Sequence, residues 1–197
     1  MEENAGGMSY RTMKGIDTSL FKFYLEGQDR RSSAAILKKN KKYYMASANK
    51  TKARLELANI RIMYIEKHHN ENQLAIDKIN HGLSWLKILK NEINNTDNNH
   101  ELETVIPYRK WHAVKLIPSV AEGYAISNSI KRNIKQLKDK DPKLPNSQLE
   151  KAITHIRHAK KIFINLLNLN EKSNFISAEK SRVKAYEEIQ KAQSILK

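Results

Sequence analysis

The feature that most restricts the fold is a seam of residues spaced by alternating steps of four and three. It runs Tyr44, Ala48, Thr51, Leu55, Ala58, Ile62, Ile65, His69, Asn72, Ile76, Ile79, Leu83, Leu86, Lys90 and Ile93, without a slip. No proline falls between Ser33 and Asn94. A stripe of that period lies along one side of an α-helix, whereas a strand alternates every second residue. Ser32 or Ser33 can cap its start, because a serine hydroxyl accepts from the free amides of a first turn. The spacing predicts one continuous helix over 33–94, about 90 Å long, lying along partners because it cannot bury its own stripe.

The rest of the chain reads as further helices parted by clear breakers. "NNTDNNHE" (Asn94–Glu101) is a turn, with Asn98 and Glu101 spaced as a capping box. The next helix, over 101–138, carries Leu102, Val105, His112, Leu116, Val120, Gly123, Ser127, Ile130, Ile134 and Leu137 on one side. Pro107 suits its first turn, Pro118 should kink or break it near Ile117, and Trp111 should anchor it to the long helix. "KDKDPKLPN" (Lys138–Asn146) ends it. Ser147 and Glu150 then form a second capping-box pattern that opens a helix to about Leu169, with Leu149, Ile153, Ile156, Phe163 and Leu167 inward. After "NLNEKS", a last helix turns Phe175, Ala178, Arg182, Ala185, Ile189, Ala192 and Leu196 inward.

The expected fold is therefore all-α: an elongated antiparallel helical bundle over 32–197, with one very long, coiled-coil-like first helix and about four principal helices. Residues 1–31 read as an irregular arm. They hold Gly6, Gly7, Gly15 and Gly27, four of the six glycines, and the cluster "LFKFYL" (Leu20–Leu25), which needs a surface to pack on. Cysteine is absent, which excludes disulfides and thiolate zinc sites and suits a reducing compartment. The opening "MEENAGGMSY" shows no secretory signal, and no window nears the ~18 apolar residues of a membrane span, so a soluble cytoplasmic protein is the default reading.

Charge is the strongest compositional signal, at +15. Arg30, Arg31, Lys38, Lys39, Lys41, Lys42, Lys50, Lys52 and Arg54 fall in a stretch with no Asp or Glu, interleaved with Tyr43 and Tyr44. Such a helix attracts phosphates without base specificity, and its tyrosines offer stacking faces. Lys131, Arg132 and Lys135 belong to a second cluster, Lys131–Lys143, with six cations to two acids. If the second helix runs antiparallel to the first, this cluster folds back beside Arg30–Arg54. The partner this implies is a polyanion, nucleic acid or a ribonucleoprotein. Two bland readings stand beside it. Twenty-seven of the 36 cations are Lys, with 21 Ile and 19 Asn, as an AT-rich coding bias would leave. The stretch also fits a solvated basic face, or an acidic membrane surface or protein partner. A scaffold that joins partner helices, or copies of itself, through the seam is the rival function.

Metal chemistry has one candidate constellation. Glu66 and His69 share a face at the Glu-x-x-His spacing of carboxylate-bridged di-iron bundles, and His155 and His158 could add nitrogen ligands. There is no second Glu-x-x-His copy. The alternative is that His69 and Asn72 are polar seam residues that fix register or mark a kink. No spacing singles out a triad or a phosphate cradle, so the reading is non-enzymatic and without a cofactor.

Two resemblances accompany these patterns. The stretch "ARLELANIRIMYIEKHHNENQLAIDKINHGLSWLKIL", Trp111 before Gly123, and the closing hairpin from Leu149 resemble uncharacterised helical-bundle proteins of archaeal, methanogen type. That resemblance covers about 52–197 and implies no activity; such proteins are usually acidic, unlike this chain. "IPSVAEGYAIS" (Ile117–Ser127) resembles the SIPSNIAEGY signature of the four-helix bundles encoded in ribosomal-RNA intervening sequences. Here it is one residue shorter and lies far into the chain. It implies a bundle and an RNA association, with no catalytic residue to transfer.

Overall fold

The computed structural model describes residues 33–66, 70–140, 145–169 and 174–196. The arm over 1–31, with Arg30, Arg31 and "LFKFYL", lies outside them, as do His69 and the Glu66 side chain. The described residues are all-helical, without a strand. In chain order they form α1 (Ser33–Glu66), a 3-10 turn (Asn70–Asn72), α2 (Gln73–Asn95), α3 (Asn99–Val105), α4 (Tyr108–Lys140), α5 (Asn146–Leu167) and α6 (Phe175–Ile195). None of these helices is long and apolar enough to cross a membrane.

The single rod over 33–94 is not what forms. α1 stops at Glu66, and α2 returns antiparallel along it. The Lys41 ammonium donates to the Asn94 carbonyl at 2.9 Å, Lys90 Nζ donates to Asn49 Oδ1 at 2.8 Å, and Gly82 packs on Leu55. Every described seam residue is nonetheless buried or half-buried, because both arms of the hairpin face inward. At the reversal Asn72 is fully buried. Asn128 Nδ2 on α4 clasps it, donating to Asn72 Oδ1 at 2.7 Å and to the Glu71 carbonyl at 3.0 Å.

α4 is the axis shared by both halves. On one side it meets α1 and α2; on the other it meets the α5/α6 hairpin. The contacts Tyr44–Tyr108, Arg61–Glu122 and Ile65–Arg132 show that α1 and α4 run parallel. Pro118 sits buried inside α4 without ending it. Proline removes one ladder hydrogen bond, and helices packed on both sides hold the axis through that point. Pro107 stands just before α4, its carbonyl accepting from the Trp111 amide at 2.9 Å.

The helix starts follow local chemistry. Asn98 Oδ1 accepts from the Glu101 amide at 2.9 Å, so the first cap forms, while the Glu101 carboxylate reaches back one residue further than in a standard box, accepting from the Asp97 amide at 2.7 Å and from Asn98 Nδ2 at 2.8 Å. The second does not: α5 begins at Asn146 after Pro145, which places Ser147 inside the first turn. Asn174 caps α6 instead, accepting from the Ile176 and Ser177 amides.

Candidate anion-binding face

Between Arg30 and Leu55 no carboxylate occurs in the sequence. On α1 this leaves Lys38, Lys42, Lys50 and Arg54 exposed, with Lys39 and Lys41 half-buried. Lys41 is engaged with the Asn94 carbonyl, and Lys52 pairs with Glu56 one turn further on. Lys39, Tyr43, Lys50 and Arg54 follow one another at helical spacing, so they share one edge of α1.

That edge borders an aromatic cleft between α1 and α4, lined by Tyr43, Tyr44, Tyr108, Trp111, His112 and Lys115 among others. Trp111 is its keystone. Its ring meets Tyr44 at 6.3 Å and Trp85 at 6.1 Å, both edge-on, the arrangement favoured by aromatic quadrupoles. Lys115 Nζ stands 5.5 Å from the Trp111 centroid and Lys110 Nζ 5.6 Å from that of Trp85, which adds cation–π attraction at the rim. The Tyr44 and Tyr108 hydroxyls are hydrogen-bonded at 2.9 Å.

Burial keeps two of the cleft's titratable side chains neutral. Burial, then the Tyr108 hydrogen bond, pushes the Tyr44 phenol far above its ordinary range, so it stays neutral. Burial, then Lys115, holds His112 below its usual value, so this imidazole is neutral near pH 7. The cleft is shallow, with about 10 Å³ of space for a water-sized sphere, room for about one water.

The second basic cluster is elsewhere. Since α4 runs parallel to α1, Lys131, Arg132 and Lys135 lie beside the C-terminal end of α1, about 36 Å along α4 from Tyr108. The antiparallel fold-back that would have joined the two clusters is thereby corrected. Lys131 and Lys135 are exposed there, while Arg132 pairs with Glu71 at 2.9 Å and donates to the Ile65 carbonyl at 3.2 Å.

His155 and His158 do converge, on a carboxylate of α6. His155 Nδ1 lies 2.7 Å from Glu188 Oε2, and His158 Nδ1 lies 3.9 Å from the same oxygen. Lys191 takes the other oxygen at 2.6 Å. Hydrogen bonds from His155 and Lys191 lower the Glu188 pKa to about 2. This is a polar network in which the His155–Glu188 hydrogen bond spans the hairpin and the Glu188–Lys191 ion pair lies on α6. Among the described residues, no three His, Asp or Glu side chains are grouped to hold a metal.

"IPSVAEGYAIS" falls in the middle of α4, where its residues have structural duties. Glu122 pairs with Arg61 at 3.1 Å, Lys160 stacks over the Tyr124 ring, and the Phe163 ring covers Gly123. Local spacing marks neither Tyr108 nor Glu188, since Tyr44 and His155 reach them from more than 30 positions away, and Lys115, one turn from Trp111, has no spacing that sets it apart from the other lysines. No family model, curated protein or solved structure matches the chain.

Proposed function

We propose that this is a non-enzymatic helical module whose α1 face, beside the aromatic cleft, binds a polyanion, foremost single-stranded nucleic acid, without reading base sequence. One observation carries the reading: the first six turns of α1 hold no carboxylate and leave Lys38, Lys42, Lys50 and Arg54 exposed, next to tyrosine rings. Ammonium and guanidinium groups meet phosphates, and Tyr43 and Tyr108 offer faces on which any base stacks. Arg occurs in the described part of this stretch only at Arg54, so bidentate base-edge reading has little support there. The face is confined to one end of α1 and does not draw on Lys131, Arg132 or Lys135.

The test is anisotropy of labelled single-stranded oligonucleotides of unrelated sequence, titrated over a range of salt. Affinity falls with salt and is similar between sequences. Replacing Lys38, Lys39 and Lys42 by Glu, while leaving Lys41 on its Asn94 anchor, weakens binding and flattens the log–log salt slope by about 0.7 for each phosphate contact removed. Unchanged binding in that variant overturns the reading. A second reading, a scaffold that docks partner helices, is favoured by apolar side chains exposed further along α1.

A further inference from the structure

α1 carries a second seam, on the side away from the core. From Lys42, steps of four and three give Ala46, Asn49, Ala53, Leu57, Ile60 and Tyr64, and all of them are exposed. Ile60 is 63% accessible, Tyr64 75% and Leu57 45%, with Met63 beside them at 58%. Single exposed apolar residues are ordinary on a protein surface; four large ones gathered within two helical turns mark a contact surface. Ala46 and Ala53, on the same line, let another backbone approach closely. The strip thus has the form of one half of a helix–helix interface, with small residues at one end and large apolar ones at the other.

The flanks determine what can lie on it. Lys50 and Arg54 border the strip along one edge, continued by Arg61, which Glu122 holds from α4. On the other edge stand Lys38 and the Lys52–Glu56 pair. Residues flanking such a seam select the partner by charge. A second copy of this chain fits badly. In parallel pairing the Lys50 and Arg54 edge lies against the other copy's Lys38 and Lys52 edge, where Glu56 is the one acid, and in antiparallel pairing along the whole strip Leu57 and Tyr64 face the lysine-bearing half, between two chains of +15 each. We infer that the outer seam of α1 docks an amphipathic helix of another protein, one whose apolar stripe is flanked by Asp and Glu. This surface is distinct from the phosphate-binding reading, because Leu57 and Ile60 have nothing to offer a phosphate. Lys50 and Arg54 serve both, so the two are separated at residues they do not share.

The probe is a synthetic helical peptide with leucines at heptad spacing and glutamates on both flanks, labelled and titrated with the full chain. A second peptide carries lysines on the flanks. The acid-flanked peptide binds and the lysine-flanked one does not. Leu57→Ser with Ile60→Ser weakens binding by about tenfold or more, while the melting curve stays in place because both residues are exposed. The same variant leaves oligonucleotide affinity unchanged, and the Lys38, Lys39 and Lys42 variant affects the peptide less than the serine pair does. Absence of binding by the acid-flanked peptide overturns the inference, as does equal binding of the two peptides or binding indifferent to the serine pair. A dimer in sedimentation that the serine pair dissolves assigns the strip to a second copy. Loss of oligonucleotide affinity in the serine pair assigns it to nucleic acid. Either result overturns the acidic-helix assignment.

Discussion

The two hairpins that flank α4 are built differently. In α1 and α2 the interior is large and branched, with Leu55, Ile62, Ile79, Leu86, Leu89 and Ile93 fully buried and an aromatic plug at one end. In α5 and α6 it is smaller: Ala152, Ala159, Ala178, Ala185 and Ala192 line the contact, and Phe163 and Ile156 are the fully buried large side chains. Their charges differ in the same sense. The α6 carboxylates Glu179 and Glu188 are held by Arg182 and Lys191 on the same helix, whereas the first half of α1 has lysines and no acid of its own. The α6 acids Glu179 and Glu188 are thus matched on their own helix, while the first half of α1 carries cations alone, and the proposed binding face rests on that contrast.

The sharpest way to break this comparison is one substitution made on each side of α4. A Cβ at Gly123 would stand 2.3 Å from the Phe163 ring, which is fully buried and has nowhere to turn. Gly123→Ala therefore destabilises by about 2–3 kcal/mol in urea unfolding. A Cβ at Gly82 meets only the tips of Leu55, Ile117 and Val114 at 3.3–3.5 Å. Gly82→Ala changes stability by no more than about 1 kcal/mol, because the helix-propensity gain offsets the tight fit. Equal effects would show that the α5 contact is no tighter than the α2 contact.

Smaller is the effect of Asn72→Ala, which removes the acceptor for Asn128 Nδ2 while leaving the Glu71 carbonyl. A loss of about 1–2 kcal/mol is expected from the same unfolding measurement. It is specific to the first hairpin.

Smallest is a pH-dependent difference confined to the second. With its folded-state pKa depressed from 4.5 to about 2, Glu188 contributes stability above the unfolded value and loses that contribution as pH falls through about 2. Glu188→Gln thus lowers Tm at pH 7, and its deficit narrows between about pH 4.5 and 2. A deficit constant across that window would mean that the charge on Glu188 is not what holds His155 and Lys191.

Much of the interior was legible because burial follows helical period. Tyr44, Leu55, Ile62, Ile79, Leu86 and Ile93 all point inward as their spacing requires. The reversal was not, since two helices folded face to face keep the same inward period as one rod, and the break stays in phase. Asn72, read from sequence together with His69 as a register or kink residue, was a local sign of it. That missed turn had a distant effect. A helix following one long rod would run antiparallel to it, but a helix following a hairpin runs parallel to the first arm, and this carried Lys131, Arg132 and Lys135 to the far end. The cleft and the Glu188 network depend on pairs such as Tyr44 with Tyr108 and His155 with Glu188, which no local spacing encodes.

Because α4 lends one flank to each hairpin, neither can open without stripping half of that helix to solvent. Tyr186 of α6 even donates to the Ser119 carbonyl, one residue past the central proline. Slow-exchanging amides should therefore cluster around the middle of α4 and share a single opening free energy, and the protein should melt in one step although it is assembled from two pieces.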